Sequence, residues 1–216
     1  MPVVVLLSGS GTNFAAIATA AASGQLPVEV RAVVSDRPAA YGLERARALG
    51  IPAIAVAPRD YADRSAHDRA LIEAIDAHHP ALVILAGYMR IFTAEFVAHY
   101  ADRMLNIHPS LLPAYTGLHT HSRALADGAS WHGCSVHFVT EELDGGPLVA
   151  QAPVPVLPGD NEETLAQRVH RAEHLLYPTV VEWYATGRLR SSDGAVSLDG
   201  RPLPEPLRLE YADAQH

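Results

Sequence analysis

Three short stretches carry side chains whose types and spacing suit chemistry. Asn106-Ile107-His108-Pro109-Ser110-Leu111-Leu112-Pro113 closes an apolar run. In an extended strand, positions i and i+2 share a face, so the Asn106 amide and the His108 imidazole would converge on one point. An amide donor beside a protonatable ring can hold a developing oxyanion and move a proton; the same two side chains could equally satisfy backbone groups at a strand end. Ser8-Gly9-Ser10-Gly11-Thr12-Asn13 follows another apolar run. Glycines that turn backbone N–H groups outward at a helix start suit a phosphate, or simply make a tight turn. Asp144, in Leu143-Asp144-Gly145-Gly146, either caps that turn or, if the loop folds over His108, favours the imidazolium and orients the ring.

Other chemistries are narrowed by composition. All 16 basic residues are Arg, which removes Schiff-base catalysis, lysine-anchored pyridoxal phosphate and a Walker A lysine. Cys134 is the only cysteine, so intrachain disulfides and multi-Cys metal sites are excluded and a reducing, cytoplasmic setting fits. His78-His79, His119-x-His121 and His132 invite a metal reading, but there is no HExxH and no spacing that adds a carboxylate to two ligands. No metal is expected, and His67, His99 and His216 are expected to be solvated. Gly9-x-Gly11 is followed by Phe14 where a dinucleotide fingerprint places its third glycine, and Asp36, roughly at the end of the second strand, precedes Arg37-Pro38. A monophosphate suits the loop better than a nicotinamide cofactor.

The elements that must position these residues are legible as alternation. Apolar runs at Val3 to Leu7, Val28 to Val34, Ile51 to Val56, Ala81 to Ala86 and Met104 to Ile107 read as strands covered on both faces. Helix-compatible segments lie between them, roughly Asn13 to Ser23, Gly42 to Leu49, Ser65 to His78 and Thr93 to Tyr100, the third opening on a Ser65/Asp68 pair that resembles a capping box. The pattern predicts an α/β fold: an open, mostly parallel, doubly wound sheet. Beyond Asn106, a helix near His119 to Asp127 precedes strands near Cys134 to Val139 and Leu148 to Val156, which should pair antiparallel across Asp144-Gly145-Gly146-Pro147. A long C-terminal helix should start after Asp160 or Asn161 and end at Gly187, with Pro178 kinking or splitting it. Asp193-Gly194 and Asp199-Gly200 suggest a small hairpin, and the last dozen residues are expected to be loose.

At 216 residues the chain suits one domain with a short appendage. Its net charge of −8 argues against a general attraction to nucleic acid or anionic lipid, and 49 % apolar with 19 % charged residues argues for a packed domain. The start, Met1-Pro2-Val3-Val4-Val5-Leu6-Leu7, lacks a basic n-region and is broken by Ser8-Gly9, so neither a signal peptide nor a membrane span is expected.

Asn106 to Pro113 together with Ser8 to Asn13 resemble the folate-dependent formyltransferases. Ala86-Gly87-Tyr88-Met89-Arg90, Gly117-Leu118-His119-Thr120-His121, Ser135-Val136-His137-Phe138-Val139, Glu141-Glu142-Leu143-Asp144-Gly145-Gly146-Pro147 and Glu173-His174-Leu175-Leu176-Tyr177-Pro178 extend the likeness over about residues 3 to 190. The resemblance implies a single catalytic domain over residues 1–190, its N-terminal half binding phosphate and its C-terminal half folate, with a hairpin and tail over 191–216. It implies transfer of the formyl group of 10-formyltetrahydrofolate, as cosubstrate, to the amine of 5-phosphoribosylglycinamide in purine synthesis. Asn106, His108 and Asp144 would be the catalytic trio. Gly11, Thr12 and Asn13 would hold the substrate phosphate, with His170, Arg171, Ala172 and Glu173 on the same substrate and Glu173 on its ribose hydroxyls. Met89, Arg90, Ile91 and Phe92, with Asn106, Thr140, Glu141, Glu142, Leu143 and Asp144, would line the pterin pocket, and Arg64 would approach the folate tail. Ala114, Thr116 and Phe92 depart from the residues common in bacterial members, which touches loop charge and pocket shape. The implied enzyme is cytoplasmic, a monomer or homodimer, with no nucleic-acid or membrane partner. Within the same superfamily, transfer to methionyl-tRNA normally brings an RNA-binding domain and hydrolysis of formyltetrahydrofolate an N-terminal regulatory domain; the chain is expected to carry neither.

Overall fold

The computed structural model describes residues 1–211. Strands β1 (Pro2–Leu7), β2 (Glu29–Ser35), β3 (Ala53–Ala55), β4 (Leu82–Leu85) and β5 (Met104–His108) run parallel, in the order β3-β2-β1-β4-β5. Two antiparallel strands, β6 (Trp131–Phe138) and β7 (Leu148–Pro155), extend the sheet beyond β5. Val3, Val5 and Leu7 face one layer while Val4 and Leu6 face the other, all fully buried, which is why β1 reads as an unbroken apolar run. Helices α1 (Thr12–Ala22) and α2 (Tyr41–Ala48) cover the first face, and α3 (Arg64–Asp76) and α4 (Ala94–His99) the second. Helices α5 (Thr120–Ala126) and α6 (Glu162–Ala185) complete the first layer. The doubly wound sheet with an antiparallel extension and long C-terminal helix is thus observed.

Several local expectations are corrected. The third strand pairs only over Ala53–Ala55, because it lies at the sheet edge with β2 as its one neighbour. Helix α3 is capped by Asp63, whose carboxylate accepts from the Ala66 N–H at 2.8 Å, not by a Ser65/Asp68 box. Asp68 is instead 3 % exposed and accepts from the Thr93 N–H at 2.7 Å. Helix α6, capped by Asn161 with Thr164, is a single element through Pro178. The ring removes one hydrogen bond, but Leu176, Tyr177, Val180 and Val181 on both sides of it are fully buried, and that packing outweighs the loss.

The tail is more ordered than expected. Strands β8 (Leu189–Ser192), β9 (Ala195–Leu198) and β10 (Arg201–Pro202) form a three-stranded antiparallel sheet instead of one hairpin. Its turns are Asp193-Gly194 and Asp199-Gly200, all four residues at positive φ. Strand β11 (Leu207–Arg208) then pairs parallel with β7, and Leu209 and Tyr211 pack on the main core. An open sheet edge accounts for this order, since it leaves N–H and C=O groups for a passing chain to satisfy. The rest of the last dozen residues, 212–216 with His216, lies outside the described residues.

One buried hydroxyl ties α6 to the centre of the sheet. Tyr177 Oη lies 2.9 Å from both the Leu85 and Leu105 carbonyls, on the neighbouring strands β4 and β5. Tyr177→Phe leaves both carbonyls without this donor and should lower stability by about 1–2 kcal/mol. The check is urea unfolding, with a lower midpoint at unchanged slope.

Candidate active site

Strand β1 has β2 on one side and β4 on the other, so the connections leaving β1 and β4 diverge and open a crevice at their carboxyl ends. Three segments meet around it: the Ser8 to Asn13 loop after β1, a strap from Gly87 to Thr93 after β4, and the end of β5.

The glycine loop is shaped by close packing. Gly11 has φ +71°, and a Cβ on it would lie 2.7 Å from the Gly42 Cα of α2, so only glycine lets the loop rest there. Gly11 also precedes α1 without a side-chain cap, leaving the first amides of that helix free for an anion. Asn13 is 9 % exposed; its Nδ2 donates to Glu173 Oε2 at 2.8 Å, while its Oδ1 is buried and has no partner among the described residues. That acceptor fits a ligand hydroxyl. Burial raises the Glu173 carboxyl to about 7, opposed by the Asn13 bond. Of its neighbours, His170 is exposed and Arg171 half-buried, but the Ala172 methyl is fully buried in the core, leaving only its backbone for a ligand.

The strap presents Met89, Arg90 and Ile91 to solvent, with Phe92 half-buried and stacked on Phe96 at 4.1 Å between ring centres. Arg64 is exposed at the first position of α3. Thr140 is half-buried, and Glu141, Glu142 and Leu143 are exposed on the loop between β6 and β7. Gly146 closes that loop against β6, where a Cβ would meet the Phe138 carbonyl oxygen at 1.9 Å.

Asn106, His108 and Asp144 are brought together. His108 Nδ1 lies 3.5 Å from Asp144 Oδ1, with both side chains 7 % exposed. His108 Nε2 donates to the Tyr115 carbonyl at 2.9 Å, since a carbonyl can only accept. A proton is thus required on Nε2, and a carboxylate faces Nδ1. Asp144 holds a left-handed φ of +53° and accepts from the Gly117 N–H through Oδ2 at 2.8 Å. Its carboxylate therefore bridges two loops as well as facing the ring, beyond the local turn cap that the Asp-Gly-Gly sequence suggests.

His137 joins this cluster and was not singled out as a site residue from the sequence. It lies opposite Asn106 in the β5–β6 register. Its Nδ1 donates to the Phe138 carbonyl at 2.9 Å, leaving Nε2 to accept from Asn106 Nδ2 at 3.0 Å. Nε2 is also 3.9 Å from Asp144 Oδ1. Burial lowers its pKa, which suits the neutral, accepting ring. Its sequence signals are its place in the Ser135 to Val139 stretch and its alternation along that strand, but the pairing of β6 with β5 that sets it opposite Asn106 is not legible there.

The remaining histidines rearrange the expectations. His121 and His132 face each other at 3.1 Å, each lowered to about 4, mainly by burial. Among the described residues, no group of three or more His, Cys, Asp or Glu is placed to hold a metal ion. His67 is buried, at 1 % exposure, because its ring bonds the Val56 carbonyl at 3.0 Å; His99 is exposed and pairs with Asp76. Among the described residues, no helix is long and apolar enough to cross a membrane.

An open α/β sheet with a phosphate-type loop and an amide–imidazole–carboxylate cluster at its switch point defines a class, enzymes that transfer a carbonyl-centred group between small molecules. A family model for formyl transferase matches residues 1–181. The phosphoribosylglycinamide formyltransferase of Escherichia coli K12 is 52 % identical over 94 % of this chain and 96 % of its own length. The solved phosphoribosylglycinamide formyltransferase of Coxiella burnetii superposes with a TM-score of 0.91 at 48 % identity, covering 100 % of this chain and 98 % of that one. A formyltetrahydrofolate deformylase of Pseudomonas syringae superposes with a TM-score of 0.84 at 25 % identity, over 91 % of this chain and 65 % of that one. The chain belongs to the formyl transferase family.

Two expectations follow from the site geometry. A carboxyl whose pKa rises on folding contributes most below its unfolded value, and that stability is lost as pH climbs from 4.5 through about 7. Glu173→Gln should therefore match the native protein in stability near pH 4.5 and exceed it by on the order of 3 kcal/mol at pH 8, read from denaturant midpoints across pH. His137→Phe removes the acceptor that orients Asn106 and the donor to the Phe138 carbonyl, so turnover should fall roughly tenfold and stability by about 1–2 kcal/mol with the fold retained, measured by steady-state kinetics beside urea unfolding.

Proposed function

We propose that this protein transfers the formyl group of 10-formyltetrahydrofolate to the amine of 5-phosphoribosylglycinamide. One observation carries the reading: Asn106, His108 and Asp144 converge at the crevice between an uncapped helix N-terminus fit for phosphate and a strap with exposed apolar side chains. The names of the relatives in E. coli and Coxiella support it. Gly11, Thr12 and Asn13 hold the phosphate, and Glu173 with the Asn13 amide takes ribose hydroxyls. His170, Arg171 and the Ala172 backbone border the same substrate. Met89, Arg90, Ile91, Phe92, Thr140, Glu141, Glu142 and Leu143 enclose the pterin, and Arg64 approaches the folate tail. The reading places the enzyme in the cytoplasm as a monomer or homodimer, with residues 1–190 as the catalytic domain and 191–216 as an appendage.

The neutral amine attacks the formyl carbon, forming a C–N bond and converting the carbonyl to a tetrahedral oxyanion. The free Nδ2 proton of Asn106 and the His108 imidazolium stabilise that oxygen, and Asp144 balances the ring's charge. Collapse breaks the bond to the folate N10, with the amine proton relayed to N10 through His108 or a water held between His108 and Asp144. Holding both substrates across one crevice supplies a large entropic share of the rate.

Asn106→Ala and His108→Ala should each lower turnover about a hundredfold or more, the effect of removing an oxyanion donor; a near-native rate in either variant rejects its role. Asp144→Asn should depress the rate and alter its pH profile. The reading itself is tested by mixing the protein with 10-formyltetrahydrofolate and offering 5-phosphoribosylglycinamide, methionyl-tRNA or water. Rapid discharge with the first alone is expected; comparable discharge to water would instead favour the hydrolytic activity named for the Pseudomonas relative.

A further inference from the structure

The strap after β4 is short of burial yet firmly placed. Met89 is 59 % and Ile91 57 % exposed, so their side chains do little to anchor it. Its backbone is held instead at both ends by buried carboxylates. At the far end Asp68 accepts directly from the Thr93 N–H at 2.7 Å. At the near end the contact is relayed: the Ser8 hydroxyl donates to Asp36 Oδ1 at 2.6 Å and accepts from the Met89 N–H at 2.9 Å. The Ser8 N–H also donates to the Gly87 carbonyl at 3.0 Å. Ser8 is 2 % and Asp36 7 % exposed, so water does not readily substitute for either partner.

A serine hydroxyl has one proton and can rotate. Asp36 takes that proton and so turns the oxygen lone pairs toward Met89. Without Asp36 the hydroxyl could donate elsewhere and the strap's first amide would lose its defined acceptor. The Ser8–Asp36 pair thus acts on the strap through hydrogen-bond direction. We propose that Ser8 and Asp36 are a positioning pair for the strap from Tyr88 to Thr93, setting the affinity for the folate cosubstrate without taking part in the chemical step. This rests on the reading of the strap as the pterin-binding side.

The experiment compares Ser8→Ala, Asp36→Ala and Asp36→Asn with the native protein, using 10-formyltetrahydrofolate and 5-phosphoribosylglycinamide. Both alanine variants should raise KM for 10-formyltetrahydrofolate roughly tenfold or more, with kcat and the KM for the ribonucleotide within about threefold, the scale of one unsatisfied buried partner. Asp36→Asn keeps an oxygen acceptor for Ser8 and should stay within about threefold of native in every constant. Amide deuterium exchange supplies a readout that uses no substrate: the Met89 amide should exchange at least about tenfold faster in the alanine variants, and at the native rate in Asp36→Asn. Native folate KM or native exchange in the alanine variants overturns the proposal, as does a kcat loss that dominates the KM effect, or Asp36→Asn behaving like Asp36→Ala. If the native protein itself fails to move the formyl group, the functional reading falls and the folate assignment of the strap with it; native transfer with an unaffected folate KM in the variants sinks the positioning pair alone.

Discussion

The pairing of β5 with β6 sets Asn106 opposite His137 and His108 opposite Ser135. Side chains alternate along a strand, so a slip of one residue would swing both Asn106 and His108 off the face they share with Met104 and into the first apolar layer, where Leu105 and Ile107 now sit. The site depends on that register. It is secured from outside the site: Ser135 Oγ donates to the Ser110 carbonyl and accepts from the Leu112 N–H, and Gln151 of β7 donates to both Ser135 Oγ and the Leu112 carbonyl. The segment following His108 is therefore stitched to β6 and β7 by buried polar bonds, which are demanding in direction in a way that apolar packing is not.

Charge is managed locally in a protein whose overall balance is −8. Such a field does not attract anions, so in the proposed reading the phosphate and the folate tail are met by particular donors: the uncapped start of α1, a few Arg side chains and one imidazole. The histidines around His108 are kept neutral by burial, and Glu173 is pushed toward neutrality in the same way. Burial thus lets several titratable groups crowd a small volume without mutual repulsion.

Much of this is legible in the sequence. The five parallel strands, their helices and the antiparallel pair follow from apolar runs, periodicity and turn residues, which are local properties. Asn106 and His108 could be placed on one face because the two-residue repeat of a strand is geometric. Where local reading failed, a distant partner had decided. Asp63 took the α3 cap because Asp68 was engaged with Thr93, 25 positions away. His67 was drawn inward by the Val56 carbonyl, Pro178 was overridden by buried neighbours on both sides, and the tail found an open edge on β7.

By itself, the sequence determined which chemistry was available: an amide and an imidazole two residues apart, a glycine loop before a helix, an aspartate in a glycine turn, and no lysine or second cysteine to support other routes. Only the tertiary structure decided that Asp144 crosses to His108, that His137 supplies the acceptor for Asn106, and that Ser8 and Asp36 share an anchor with Met89. The reason is physical. Residue type and short-range periodicity are carried by neighbours along the chain, whereas the direction of a buried hydrogen bond depends on which strands pair and in what register, and that is set by the whole core at once.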